Sequence, residues 1–122
     1  MNPLPILFAL NFSLLLLHEM DAIRTREWKM FVVLKDMRDE TAYITFSLIH
    51  LPLYIWVIYT ISQTFSSGYA VVWLLTDVFL ILHTVIHFFF RKHAANGFVS
   101  AYSNGLIYSM GALSVVHLIL IF

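Results

Sequence analysis

The hydrophobic pattern comes in long blocks rather than in short alternations. No charged residue precedes Glu19, none lies between Thr41 and Thr76, and none follows Lys92. A helix needs about 20 mostly apolar residues to cross a bilayer. Four segments meet that length: residues 3–23, 41–62, 69–90 and 98–122. "SQTFSSG" (Ser62–Gly68) is expected as the polar turn between the second and third, and "RKHAANG" (Arg91–Gly97) joins the third and fourth. Connections this short make neighbouring spans antiparallel. The expected fold is an all-α, single-domain integral membrane four-helix bundle.

Between the first two spans, "RTREWKMFVVLKDMRDE" is too charged to cross. Trp28, Phe31, Val32 and Leu34 recur at helical spacing among Arg26, Lys29, Lys35 and Arg38. The spacing predicts an interfacial amphipathic helix over residues 24–38, aromatic face toward the lipid; the alternative is a plain charged loop.

Composition agrees with the blocks. Of 122 residues 61% are hydrophobic and 11% charged, with a mean hydropathy of +0.84, whereas about a quarter of a soluble domain is charged. Net charge is zero, so no nucleic-acid footprint is visible. There is no cysteine, which removes disulfides and thiolate metal sites. "MNPLPILFALNFSLLLL" lacks a basic leader region and is expected to be a retained first span.

All seven lysines and arginines (Arg24, Arg26, Lys29, Lys35, Arg38, Arg91 and Lys92) fall in or beside the first and third connections. The positive-inside rule therefore puts that side in the cytoplasm and both termini outside, as in a multi-pass protein of the cell's inner membrane.

Six histidines are many for so apolar a chain, and ionisable groups within spans are functional candidates by default. At a rise of about 1.5 Å per residue, His18 lies about 6–8 Å from the basic edge and His50 about 12 Å. On the same scale His83 and His87 lie about 10 and 5 Å in, and Asn104 about 9 Å. Four spans thus each place a polar group in one layer. His18 and Asp21 are three apart and His83 and His87 four apart, so each pair shares a helix face. The expected metal set is His18, Asp21, His50, His83 and His87, built as bundles build such sites from inward His and carboxylate groups. Imidazole with carboxylate suits zinc, iron or manganese. Glu19 and Asp21 are expected to orient imidazoles or act as acids, and Asn104 to hydrogen-bond substrate or a ligand. Singly, each residue also reads as a satisfied polar group. Asp77, deeper and toward the other side, is left as a supporting carboxylate, with His93 and His117 outside the site.

Familiar motifs fail. "HEMDA" starts like His-Glu-x-x-His, but Ala22 stands where the second ligand belongs. "HTVIH" lacks the glutamate of the inverted motif. Pro52, two residues after His50, cannot donate to the Leu48 carbonyl and should kink the second span. Gly97, Ala101, Gly105 and Ser109 form a small-residue stripe suited to close helix packing, inside the bundle or in a homo-oligomer. Tyr54, Trp56, Tyr59, Trp73 and Phe88–Phe90 are candidates for a lipid-facing pocket or for an interfacial belt.

His18 and Asp21 closing the first span, His50 in the second, and His83 and His87 in the third resemble the small bacterial membrane proteins named for their HXXEE motif. "NGFVSAYSNGLIY" (Asn96–Tyr108) resembles the glycine-led start of their last span. Ala22 departs from the motif by replacing its second acid. The resemblance implies a four-helix membrane fold with a polar site and leaves the chemistry open.

The leading expectation is a membrane protein with a His/carboxylate, metal-binding site in the cytoplasmic leaflet, acting on a lipid or apolar small molecule. Three rivals stand beside it: a metal-free acid/base isomerase or cyclase using imidazole proton transfer, a b-type haem protein with two His ligands, and a non-catalytic assembly or regulatory subunit.

Overall fold

The computed structural model describes residues 2–63 and 69–122. Its helices are α1 (Leu4–Thr25), α2 (Asp39–Gln63), α3 (Tyr69–Phe90) and α4 (Ala101–Ile121), with a 3₁₀ turn at Glu27–Met30. All four are long and apolar enough to cross a membrane, as a multi-pass membrane protein requires. The expected polar turn at Ser62–Gly68 lies, from residue 64 onward, outside the described residues.

α4 packs along both α1 and α3, and these two interfaces carry most of the tertiary contact. α2 leans on α3 and the 3₁₀ turn and touches little else. The core accordingly has two parts. Toward the chain ends, Phe8, Phe12, Leu15, Val57, Trp73, Leu80 and Met110 pack together. At the basic end, Ala22, Trp28, Leu34, Ala42, Phe46, Phe98 and Ile107 do so.

α1 ends at Arg26, whose φ of 54° and ψ of 53° are left-handed. Its N–H reaches the carbonyls of Ala22 and Ile23, closing the last turn as a C-terminal cap. The reversal carries Glu27 and Trp28 back into the protein, where both are buried. Trp28 donates its indole N–H to Asp39 Oδ1 at 3.1 Å, while Lys29 and Arg26 bridge the same carboxylate at 3.1 and 3.3 Å. Residues 24–38 therefore do not form the expected surface helix. The left-handed turn breaks its start, and the Trp28–Asp39 bond folds the segment onto the head of α2. Val32 and Val33 stay exposed beyond it.

α4 starts on Ser100, whose Oγ accepts the Ser103 N–H at 3.0 Å, an ordinary N-cap. The preceding loop presses on α1: a Cβ at Gly97 would stand 2.7 Å from the Thr25 carbonyl oxygen. α3 presses on α4 at Gly111, where a Cβ would meet Thr84 at 2.7–2.9 Å. Thr84 also donates to the Ile107 carbonyl at 3.0 Å. Beyond Gly97, the stripe expected to pack helices does not do so within the chain. Ala101, Gly105 and Ser109 face outward, and a Cβ at Gly105 would meet nothing within 4 Å. α2 stays helical through Pro52.

Candidate metal centre

Three histidines from two helices converge at the basic end. His18 Nε2 lies 2.9 Å from His83 Nε2, and His87 Nε2 lies 3.2 Å from the same atom. Glu27 Oε1 stands 3.3 Å from His87 Nε2. One donor atom from each of His18, Glu27, His83 and His87 falls within 4.8 Å of all the others. His18, Glu27 and His87 are buried, and His83 is partly so. The i, i+4 spacing of His83 and His87 stacks their rings on one face of α3, and α1 brings His18 edge-on to both, at centroid distances of 5.0 and 4.8 Å. Phe98, on the glycine-led loop, closes over His18 and His87 at 5.3 and 4.9 Å.

The donor set is unusual in what it lacks. A neutral ring nitrogen offers either one proton or one lone pair in its plane. His83 Nε2 faces two such nitrogens, so it can serve only one of them. Three imidazoles and a carboxylate aimed at one another pair within the chain if His18 and His87 carry Nε2–H; with their lone pairs turned inward, a cation between them would take every one. Zinc bonds of about 2.0–2.1 Å at a tetrahedral angle put ligand nitrogens about 3.3 Å apart, close to the spacing here. The group could hold a metal ion.

Glu27 is set up as an anionic ligand. Burial pushes its carboxyl up, but the hydrogen bond with His87 and the facing imidazoles outweigh this and hold it below the usual carboxylate range. His18 Nδ1 is buried without a hydrogen-bond partner, so this ring lacks the outer acceptor that usually orients a ligating imidazole.

The other expected site residues go elsewhere. His50 donates Nδ1–H to the Phe46 carbonyl at 2.7 Å and meets Glu19 Oε2 through Nε2 at 3.0 Å. It stands beside the cluster rather than in it. Asp21 Oδ1 receives Arg24 at 2.7 Å, and Arg24 also reaches Ser103 Oγ at 3.2 Å. That ties the end of α1 to α4; Asp21 Oδ2 is buried without a hydrogen-bond partner, and Asp21 lies outside the group formed by His18, Glu27, His83 and His87. Asn104 donates to the carbonyls of Phe98 and Ser100 at 3.1 and 3.0 Å, which shapes the start of α4 and occupies its amide away from the cluster.

Sequence reasoning missed Glu27, which falls inside the segment 24–38 read as a surface helix. Its signal was weak: an acid flanked by Arg26 and Trp28 at the end of a long span. It also left apart Asp77 and His117, which meet at 2.6 Å with both side chains buried. Asn11 bonds Ser114 at 2.6 Å in the same half of the bundle.

Residues 4–122 match the model of DUF6713, described as a family of unknown function, and the chain belongs to that family. No curated protein and no solved structure matches it.

Proposed function

We propose that this is a metal-dependent membrane enzyme acting on a lipid or other apolar small molecule, with His18, His83, His87 and Glu27 holding one divalent ion. The observation that carries the reading is the convergence of three imidazole nitrogens on one point beside a buried carboxylate. Ionisable groups in a span are costly and seldom persist without use. Zinc, iron and manganese all suit the donors. A bound ion of this kind would polarise a substrate oxygen or activate a water. The basic connections beside it support a centre in the cytoplasmic leaflet of the inner membrane, with both termini outside.

Access favours an apolar reactant. A small cavity of about 70 Å³ abuts the cluster, lined by Glu27, Met30, Phe31, Ile86, His87 and Phe90. All but the two ligands are hydrocarbon or thioether. The haem alternative is less well served: at 2.9 Å, His18 Nε2 and His83 Nε2 leave no slot for a porphyrin plane between them. The HXXEE resemblance supports the same centre through His18, His83 and His87, while its acid, Asp21, is engaged by Arg24.

Elemental analysis of detergent-purified protein tests this. The wild type should carry about one transition-metal equivalent, and H83A/H87A and E27A should lose it, since the loss of even a residue that merely orients a ligand costs about 10–100-fold in affinity. Metal-free wild-type protein, purified without chelator and reloaded with zinc, iron or manganese without binding, would overturn the proposal.

A further inference from the structure

α1 and α2 scarcely touch, and the gap between them is a groove of about 770 Å³. That size is typical of small-molecule sites, which run from about 300 to 1,000 Å³. Its walls are successive turns of the two helices: Phe8, Phe12 and Leu16 on one side, Tyr54, Val57 and Ile61 on the other. From Pro5 to Leu16 it runs about 16 Å, roughly half of the ~30 Å hydrocarbon core.

The next turn of each wall, toward the basic end, is polar. Glu19 follows Leu16 by three residues, and His50 precedes Tyr54 by four, so both continue the faces that line the groove. The His50 and Tyr54 rings lie 6.3 Å apart, and His50 Nε2 meets Glu19 Oε2 at 3.0 Å. The Phe46 carbonyl can only accept, so His50 Nδ1 carries a proton. The proton between His50 Nε2 and Glu19 Oε2, whichever of them holds it, is engaged in that contact. The pair therefore has carboxyl lone pairs left to accept a further hydrogen bond and no free proton to donate. It sits about 9 Å below the end of α1, a depth at which a charged head is costly.

We infer that the α1–α2 groove binds the single hydrocarbon chain of a lipid whose head is a small hydroxyl, seated against Glu19 and His50. This deepens the proposed function by naming its substrate class, and it rests on that reading for its link to the metal centre. A carboxylate or phosphate head would bring acceptors to a pair that has only lone pairs free, and so would a carbonyl. A hydroxyl can donate to the free lone pairs of the Glu19 carboxyl. Among the described residues, Ser13 and Tyr54 are the groove's only polar lining residues, and Ser13 is already bonded to the Ala9 carbonyl at 2.8 Å. The wall therefore selects for hydrocarbon.

The test is photolabelling of the full chain in phosphatidylcholine vesicles with a diazirine-bearing hexadecanol, beside a diazirine-bearing phosphatidylcholine at equal mole fraction. The alcohol should label peptides bearing Phe12, Leu16 and Tyr54 severalfold more than the phospholipid does. Filling the groove by I58W or, independently, A9F at exposed wall positions should cut that labelling severalfold, as should H50L, with metal content unchanged in both groove-filling variants. Equal labelling by the two probes would mean bulk lipid only and overturn the inference. So would a disulfide-linked dimer of I58C, in this otherwise cysteine-free chain, that abolishes labelling: a second copy would then cover the groove. Metal content separates the two readings. Selective labelling of a chain that cannot bind metal removes the proposed chemistry and keeps the groove, and full metal with no selective labelling does the reverse.

Discussion

Two buried polar centres share this bundle, and they differ in how their hydrogen-bonding groups add up. In the half nearer the chain ends, Asp77 and His117 form a complementary pair at 2.6 Å, walled by Phe8 and Trp73 at 5.8 and 5.2 Å from the imidazole. One partner donates and the other accepts. At the basic end, His18, His83 and His87 present the same kind of atom to one another, and Glu27 adds an acceptor. The atoms of the pair that face each other match within the chain, as polar residues between membrane helices usually do, although Asp77 Oδ1 and His117 Nε2 are buried without a partner. The cluster gathers four ligand atoms that could hold a cation. Burial and residue type are alike in both; donor arithmetic tells them apart.

The largest effect should come from treating both centres in the same way and reading metal. H83A/H87A should fall from about one equivalent to near none, as loss of two ligands demands, while H117L should keep its full content. Equal metal loss from both variants would break the contrast. Acid should act on the cluster in the same direction. Ligands bind only when deprotonated, so metal is released as pH falls. Glu27, held below its ordinary range, remains ionised as the pH passes through the usual imidazole value of about 6.5. Its depressed value also has a sign for folding: its contribution is present above the unfolded-state value and is lost as pH falls through the folded one. Metal retained well below pH 6 would show that protonation of the imidazoles does not compete with binding.

Stability should order the centres the other way. Removing one partner of a buried pair costs about 3–5 kcal/mol, because the other is left uncompensated. H117L should therefore lower the unfolding free energy in detergent by about that much, and D77L/H117L should recover most of it. In metal-free protein, H83L should cost far less or be stabilising, since it removes one of three mutually facing nitrogens. If apo H83L unfolds as readily as H117L, the cluster is a structural network and the arithmetic above fails.

The contrast also shows where the sequence was legible. Helix number, span limits to within about three residues, and the single layer holding His18, His83 and His87 all follow from block lengths and the 1.5 Å rise. These properties depend on distance along one axis. What could not be read is rotation about that axis. His18 and Glu19 are neighbours in sequence, yet one faces α3 and the other α2. His50 meets Glu19 rather than the histidines it was expected to join. Asp77 and His117 are forty residues apart, and only packing brings them together. Glu27 needed a left-handed Arg26, and nothing in "RTREW" announces a positive φ at a residue that is neither glycine nor asparagine.

Glycine packing offers a smaller and cleaner test of the same point. Gly105 belongs to the regular small-residue stripe, whereas Gly111 lies outside it, but only Gly111 has a neighbour in the way. G111V must displace Thr84, which bonds across to Ile107, and should cost about 1–3 kcal/mol as overpacking does. G105V should be close to neutral in the monomer. A large cost at Gly105, with a change in oligomer mass, would mean that the outward stripe is covered by another copy.

The smallest expected change is at Arg26, and it asks whether the turn delivers Glu27 to the cluster. A left-handed residue with a Cβ costs about 1–2 kcal/mol, and glycine relieves this while adding about 0.5–1 kcal/mol of unfolded-state freedom. The Arg26–Asp39 bridge joins exposed side chains, and such pairs contribute about 0–1 kcal/mol. R26G should therefore change stability by about 0.5 kcal/mol or less and leave metal content intact, because the backbone path to Glu27 is kept. R26V meets the same φ with a β-branched side chain, for which positive φ is a genuine outlier. It should destabilise the chain and weaken metal binding together, as the turn reopens and Glu27 withdraws. Metal affinity unchanged in R26V would show that the three histidines hold the ion without Glu27, sharpening the centre from four ligands to three.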